Sequence, residues 1–291
     1  MISVDELDAL DLLIWLGRGE DAAHRQRCNQ STISRRCQTV LSSFSLRLHK
    51  DADGWPCTRR HELLQREREL HQLYRLRSGR PLRVDASLLA APLLRPGVPE
   101  SWWSGPLDEV GWQRPLQLLE QRILDAWVTG MGQELPNKTT AWCAVIPLLR
   151  TPLQLAARSE DPLLLEAGLT ATDLAGIPRL APRSGSYART EQQLGSWRQQ
   201  QPLLLESQAR RRSTGSEATG AGQRLLHYST PVRLGLQREW QALALNLGVR
   251  TESCLVVHRD LEGDGRVQVL LELLRRRAAH WAAQSNLVDT P

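Results

Sequence analysis

The stretch AAHRQRCNQSTISRRC, residues 22–37, decides the fold of the N-terminal region. Small and polar residues at its start predict a short helix, and Cys28-Asn29 predicts the turn that ends it. Asn29 is also a favourable N-cap for a following helix. On that helix Ile33 and Cys37 fall on one face, so the polar residues around them fall on the other. The stretch therefore predicts two helices joined by a tight turn, the second with a buried and an exposed face.

A further helix is predicted upstream of this stretch. Ser3 and Glu6 have the spacing of a capping box, in which two orphan backbone groups are satisfied reciprocally. Apolar residues including Leu10 and Ile14 then recur at helical spacing, and Gly17 ends the pattern. Three helices in succession are therefore expected.

The segment downstream of the third helix has the pattern of a short hairpin. Residues 47–50 precede a turn at 51–54, and residues 55–58 follow it. A hairpin in this position is a wing, and the unit of three helices and wing is expected to span residues 1–60.

Residues 61–79 read as one highly charged helix. Leu63, Leu70 and Leu73 lie close to a heptad seam, so the helix is expected to pair with its copy in a second subunit. A solvated spacer is the alternative, because the helix carries many charged residues. We assign residues 61–80 to a linker and dimerisation helix.

Charge is distributed unevenly along the N-terminal region. Residues 1–21 carry six acidic residues and one arginine, whereas residues 22–60 carry eight basic residues and only two acidic ones. A concentrated basic window of this kind is typical of a protein that binds a polyanion such as nucleic acid. A solvated basic surface is the alternative.

Composition limits the remaining possibilities. Apolar residues make up 41% of the 291, and no run approaches the roughly 18 apolar residues of a membrane span. The acidic N-terminus does not resemble a signal peptide, so a cytoplasmic protein is expected. The five cysteines form no C-x-x-C pair, which favours reduced, structural thiols over disulfides or a zinc site.

From Pro81 onward the patterns of strands and helices alternate. Such alternation predicts α/β layering around a mostly parallel sheet. With 291 residues, the whole chain is long enough for two or three compact units, each with its own core. The predicted strands are 82–87, 124–130, 141–149, 152–157 and 253–260, and the predicted helices are 88–94 and 267–281.

At residues 22–37 the sequence resembles the helix-turn-helix of LysR-type transcriptional regulators. The family's two small residues, its turn and its Leu-Ser-Arg correspond here to Ala22-Ala23, Asn29-Gln30 and Ile33-Ser34-Arg35. Segments 152–182 and 254–281 resemble later parts of the same family, whereas 95–114, rich in proline and tryptophan, departs from it.

The resemblance implies an α/β protein with an N-terminal all-α winged helix-turn-helix. The rest of the chain, residues 81–291, would form a two-lobed effector-binding domain like a periplasmic binding protein, with its second lobe at roughly 158–250. The implied partners are double-stranded DNA, a small-molecule effector and further copies of the chain, as a homodimer or homotetramer.

The predicted recognition helix supplies residue types suited to the major groove. Glutamine and arginine can each make two hydrogen bonds to a base, and hydroxyls can reach phosphates or bases. The predicted DNA contacts are Gln30, Ser31, Thr32, Ser34 and Arg35 from the helix, and Arg47, Lys50, Arg59 and Arg60 from the wing. The alternative is the solvated face of an ordinary three-helix unit.

By resemblance, an effector would bind in the cleft between the two lobes, and we expect a small organic anion. The predicted effector contacts are small polar residues beside strand ends together with one cation, namely Ser87, Thr129, Arg183, Ser184 and Ser186. The alternative is that all of them are ordinary turn residues.

The sequence carries no nucleophile-elbow, phosphate-loop or zinc-protease motif. We therefore expect no enzymatic activity, no cofactor and no metal ion. Two alternatives to a ligand-responsive regulator stay open. One is a diverged DNA-binding or interaction module without ligand sensing; the other is a small-molecule-binding protein or enzyme on the two-lobed fold.

Overall fold

The structure, a computed structural model, describes residues 2–50, 55, 61–108, 111–170, 172–174, 177, 179–181, 187–195, 203–205 and 225–291. Its α-helices are α1 (Val4–Leu16), α2 (Gly19–Gln26), α3 (Gln30–Ser43), α4 (Glu62–Arg77), α5 (Ala91–Leu94), α6 (Gln113–Glu120), α7 (Ala188–Gln193), α8 (Pro231–Leu234) and α9 (Gly265–Gln284). Its strands are β1 (Leu82–Ala86), β2 (Trp102–Ser104), β3 (Ala126–Thr129), β4 (Cys143–Pro152), β5 (Gln154–Arg158), β6 (Arg179–Ala181), β7 (Leu203–Leu205), β8 (Leu226–Ser229), β9 (Trp240–Ala242) and β10 (Arg250–His258).

The three N-terminal helices confirm the expectation from the sequence. The Ser3 hydroxyl accepts a hydrogen bond from the Glu6 amide at 3.3 Å, and the Glu6 carboxylate accepts one from the Ser3 amide at 2.8 Å. Gly17 ends α1 in the left-handed conformation, with φ of 78°. Asn29 occupies the N-cap position of α3, as expected, but its side chain accepts no capping hydrogen bond there.

The predicted wing lies mostly outside the described residues. Residues 46–50 are described and form no strand, whereas 51–54 and 56–60 are not described. The charged helix predicted after the wing is confirmed as α4.

The strands form two five-stranded sheets, one for each lobe. The orders are β2-β1-β3-β10-β4 in the first sheet and β7-β6-β8-β5-β9 in the second. The expectation of a mostly parallel sheet is wrong, because antiparallel pairings are as numerous as parallel ones among the described strands. The physical reason is connectivity: the chain leaves the first sheet through β4 and returns through β10, so the two strands run in opposite directions.

The N-terminal helices do not have a core of their own. Leu10 and Ile14 of α1 are fully buried in one apolar cluster with Leu119 of α6 and Trp127 of β3. The expectation of separate cores is therefore wrong for the first lobe, because α1 is apolar on several sides and covers α6 and β3 as well as α2 and α3.

Buried ion pairs join the same elements. Arg83 of β1 bonds Asp8 of α1 at 2.7 Å, and Arg68 of α4 bonds Asp11 at 2.8 Å. All four side chains are buried. Charges removed from water in this way are retained only when they are paired, so α1, α4 and β1 are held in one arrangement.

Asp125, just before β3, extends this network. Its carboxylate accepts hydrogen bonds from Gln72 at 2.7 Å, from Arg75 at 3.1 Å and from the backbone amide of Arg83 at 2.8 Å. Because Gln72 and Arg75 belong to α4, the predicted linker helix packs against the first lobe of its own chain along one side.

Helix α9 covers the first sheet. Val267, Leu270 and Leu274 are buried against it, at helical spacing. Within the described ranges, no helix is both long and apolar enough to cross a membrane.

Candidate DNA-binding face and sensor cleft

Helix α3 presents a polar face to solvent. Ile33, Cys37 and Val40 anchor the opposite side in the shared core. Of the predicted DNA contacts on this helix, Thr32 is half-buried and the exposed ones are Gln30, Ser31, Ser34 and Arg35. The structure therefore places all five on one accessible surface, which we call the α3 face.

The α3 face is free of acidic residues, because α3 contains none. Arg35 donates to the Thr32 hydroxyl at 3.4 Å, a long contact that leaves its guanidinium directed to solvent. Arg36 turns the other way, with its guanidinium 2.7 Å from the side-chain oxygen of Gln26 and 3.6 Å from the carboxylate of Asp5.

Two of the four predicted wing contacts are described. Arg47 and Lys50 are exposed and follow α3 directly along the chain. Arg59 and Arg60 lie outside the described residues. Among the described basic residues of the window, Arg27, Arg35, Arg47 and Lys50 are exposed, whereas Arg25 and Arg36 are half-buried.

Helix α4 has an exposed apolar stripe opposite its buried, charged side. Leu63, Leu70 and Leu73 are 66%, 61% and 49% exposed, and Tyr74 is 44% exposed. The predicted seam leucines are thus not covered within one subunit. A water-exposed row of this kind is the feature expected of a surface that pairs with another chain.

The structure brings together two of the predicted effector contacts. Ser87 directly follows β1, and Thr129 is the last residue of β3, the parallel strand beside it. Both residues are buried. The Ser87 hydroxyl accepts from the Gly130 amide at 2.8 Å, and the Thr129 hydroxyl accepts from the Met131 amide at 3.1 Å. Both hydroxyls therefore support the local turn, each with its own hydrogen left to donate.

The other predicted effector contacts, Arg183, Ser184 and Ser186, lie outside the described residues. Beside them in the chain, α7 contacts the first lobe through a residue that the sequence analysis missed. The Glu134 carboxylate accepts from the Arg189 amide at 3.0 Å, the Thr190 amide at 2.6 Å and the Thr190 hydroxyl at 2.6 Å. We call this contact the Glu134 bridge.

The Glu134 bridge is reinforced by a side chain on the same helix. Arg189 donates to the Gln133 carbonyl at 2.6 Å and to the side-chain oxygen of Asn137 at 3.2 Å. Backbone amides in the first turn of a helix have no partner within the helix, and proteins commonly bind anions through them. No local motif marks Glu134, because its partners lie more than 50 residues away.

Asp85 is a second buried carboxylate that the sequence analysis missed. It accepts from the Trp15 indole at 2.9 Å and from the Ala86 and Leu107 amides at 2.8 and 3.1 Å. Burial raises the pKa of Asp85 to about 6, although these hydrogen bonds act in the opposite direction. The Trp15 contact ties α1 to the end of β1.

Comparison with known proteins supports the fold. No family model matches the chain, and no curated protein is significantly similar to it in sequence. A full-length variant of OxyR from Pseudomonas aeruginosa is 14% identical, with a TM-score of 0.50 over 95% of this chain and 94% of that one. ArgP from Mycobacterium tuberculosis is 14% identical, with a TM-score of 0.51 over 94% and 96%.

A third solved structure is that of CrgA, a LysR-type transcriptional regulator from Neisseria meningitidis. It is 14% identical, with a TM-score of 0.47 over 93% of this chain and 97% of that one. The likeness to OxyR and ArgP extends from the N-terminal helices to the last helix. The fold is therefore an N-terminal helical unit followed by a two-lobed α/β domain, as the sequence predicts.

Proposed function

We propose that the chain is a sequence-specific DNA-binding transcriptional regulator of the LysR type that responds to a small-molecule effector. The observation that carries the proposal is the α3 face, an exposed polar surface without acidic residues on the second helix of a helix-turn-helix. Its first turns are at the position from which recognition helices reach base edges.

On this proposal Gln30 and Arg35 read bases in the major groove. Ser31, Thr32 and Ser34 bind bases or phosphates near the start of the helix. Arg47, Lys50, Arg59 and Arg60 neutralise phosphates, which gives binding its dependence on salt. The protein acts in the cytoplasm, where DNA is accessible to it.

The exposed stripe of α4 is proposed as a subunit contact in a homodimer or homotetramer. Leu63 and Leu70 are seven residues apart, the repeat at which two helices bury apolar side chains between them. A two-fold pair would present two α3 faces to a pseudo-palindromic site.

For sensing, we propose that a small organic anion acts on the cleft between the lobes. Ser87 and Thr129 would line the first lobe's side, and Arg183, Ser184 and Ser186 the second. An effector regulates only if it binds one lobe arrangement better than another. The Glu134 bridge is one of the described contacts between the lobes that such a change would make or break.

Selection of bound sequences from a random DNA pool tests the proposal. We expect enrichment of one pseudo-palindromic site, with binding that weakens steeply as salt is raised. Enrichment of no sequence at low salt would contradict sequence-specific binding.

A second candidate is a DNA-binding or interaction module that has lost ligand sensing. The Glu134 bridge favours it, because a carboxylate of the chain itself already occupies amides that could bind an anion. Thermal-shift screening with metabolites separates the two candidates, since only a sensor gains stability from a ligand.

A further inference from the structure

A cavity of about 660 Å³, half open to solvent, lies where the N-terminal helices meet the first lobe. One wall is the corner between α1 and α2, with residues 15–18, Asp21, His24 and Arg25, and the other is formed by residues 104–106, Asp108 and Arg114. The volume is within the range of small-molecule sites, roughly 300–1,000 Å³. We call this space the junction cavity.

Both walls are held in place by direct contacts. Arg25 donates to the Ser104 carbonyl at 2.9 Å, and Arg114 donates to the Ile14 carbonyl at 2.6 Å. Behind the cavity Trp15 is fixed by its bond to the buried Asp85. These contacts cross between the two units, so the cavity is preformed and does not depend on a mobile lid.

The lining combines cations with an apolar surface. Leu16 and Pro106 supply apolar surface. The charged residues in the lining are Arg18, Arg25 and Arg114, with Asp21 and Asp108 opposed to them, and His24 adds an imidazole. Basic groups are in excess, so the lining favours an anion with an apolar part.

Arg25 is the best-placed cation in this set. Its guanidinium is half-buried, donates to a carbonyl and lies 5.5 Å from the centre of the Trp103 ring, and both of these partners are neutral. Burial lowers the pKa of Arg25, and the nearby Asp21 partly opposes that effect. A ligand carboxylate would compensate a charge that has been partly removed from water.

We propose that the junction cavity is a second small-molecule site, separate from the inter-lobe cleft, which binds a small organic carboxylate through Arg25 and Arg18. A bound carboxylate would contact both the helix-turn-helix and the first lobe. An effect of this carboxylate on DNA binding rests on the proposed function, but the binding of the carboxylate to the protein does not.

Binding is tested without DNA, by calorimetry on the full chain. The probes are phenylacetate, 2-oxoglutarate and citrate at millimolar concentration, with phenylacetamide as the neutral counterpart of phenylacetate. We expect at least one carboxylate to bind and phenylacetamide not to bind. Arg25→Gln should weaken the carboxylate about tenfold or more, as expected when a charged hydrogen bond is lost.

Further variants separate a ligand contact from damage to the fold. Arg18→Ala, on an exposed side chain, should also weaken binding, whereas Asp21→Asn should strengthen it, because an opposing charge is removed. Arg275→Gln, on the exposed side of α9, should change nothing.

Three results would overturn the proposal: no carboxylate binds, phenylacetamide binds equally well, or Arg25→Gln, Arg18→Ala and Asp21→Asn all leave affinity unchanged. A fourth result, loss of binding in Ser87→Ala while the arginine variants still bind, would assign the ligand to the inter-lobe cleft and would also overturn it. Failure of the DNA selection would contradict the proposed function without affecting this measurement.

Discussion

At the residue scale, two adjacent arginines of α3 are expected to behave differently. Arg35 is exposed on the α3 face, whereas Arg36 is bonded to Gln26 and lies near Asp5. Arg35→Ala should weaken specific binding by ~1–3 kcal/mol and relax the preference at one base pair, as expected for a lost bidentate base contact. Titration of the selected site and repeated selection measure both effects.

Arg36→Ala is the matched control on the same helix. It should lower stability slightly and leave the selected sequence unchanged, because its guanidinium is directed at α2. An unchanged affinity and sequence preference in Arg35→Ala would mean that the α3 face does not read bases.

Asp85 predicts a pH dependence of stability. Its folded pKa of about 6 lies above the ordinary value of 3.8, so the folded state binds more protons in between. The free energy of unfolding should therefore fall, relative to that of Asp85→Asn, as pH rises from about 4 to about 6, by on the order of 2 kcal/mol. Chemical denaturation of both proteins across this range measures the difference.

Asp173 provides a control in which the pH dependence of stability has the opposite sign. Hydrogen bonds from Thr170 lower the pKa of Asp173, so its contribution to stability should rise with pH. A difference between wild type and Asp85→Asn that stays constant with pH would show that Asp85 is not buried as described.

At the element scale, one side of α4 packs against the first lobe and the other carries the exposed apolar stripe. Leu70→Asp should reduce association, because it places a charge in a seam that two subunits would bury. Sedimentation of the variant measures the change. Leu165→Asp is the control, since Leu165 is 90% exposed in the second lobe. An unchanged oligomer size in Leu70→Asp would place association elsewhere on the chain.

The Glu134 bridge is the second element-scale feature with a direct test. Glu134→Gln removes the negative charge and sets an amide group among three donors. The Arg189 and Thr190 amides should then exchange hydrogen faster, by about tenfold or more, because a charged hydrogen bond is worth ~1.5–3 kcal/mol.

Glu166→Gln, at an exposed position of the second lobe, is the control for this exchange measurement. Equal protection of the α7 amides in Glu134→Gln and the wild type would show that the lobes are joined without the bridge.

At the scale of the whole molecule, the shared core and the buried charges make the N-terminal helices and the first lobe one cooperative unit. Asp125→Ala removes the acceptor of Gln72 and the nearer of the two carboxylates beside the buried Arg75, whose other carboxylate partner, Asp8, is 3.8 Å away. This substitution should lower the free energy of unfolding by about 3–5 kcal/mol. Asp289→Ala is the control: it breaks an exposed ion pair with Arg250 and should lower the free energy of unfolding by about 0–1 kcal/mol.

Denaturant unfolding followed by tryptophan fluorescence and circular dichroism measures this cost. The two signals should change together in the wild type, because Trp15 and Trp127 belong to one core. A separate early transition of the N-terminal helices would contradict a shared core.

Local features of this protein followed from the sequence because they depend on neighbours a few residues apart. The capping box of α1, the turn before α3 and the two faces of α3 all arise within one or two helical turns. The position of Leu63 and Leu70 on one face of α4 likewise follows from their spacing, whereas the exposure of that face depends on how α4 packs. These features position the α3 face and the α4 stripe.

The tertiary structure decided which distant charges meet and how the strands run. Arg83 pairs with Asp8 from 75 residues away, and Glu134 bonds Thr190 from 56 residues away, so neither partner is marked by local spacing. The antiparallel return of β10 depends likewise on where the chain re-enters the first lobe. A buried charge is stabilised only by groups that the whole fold brings within a few ångströms, which is why these contacts exist only at the level of tertiary structure.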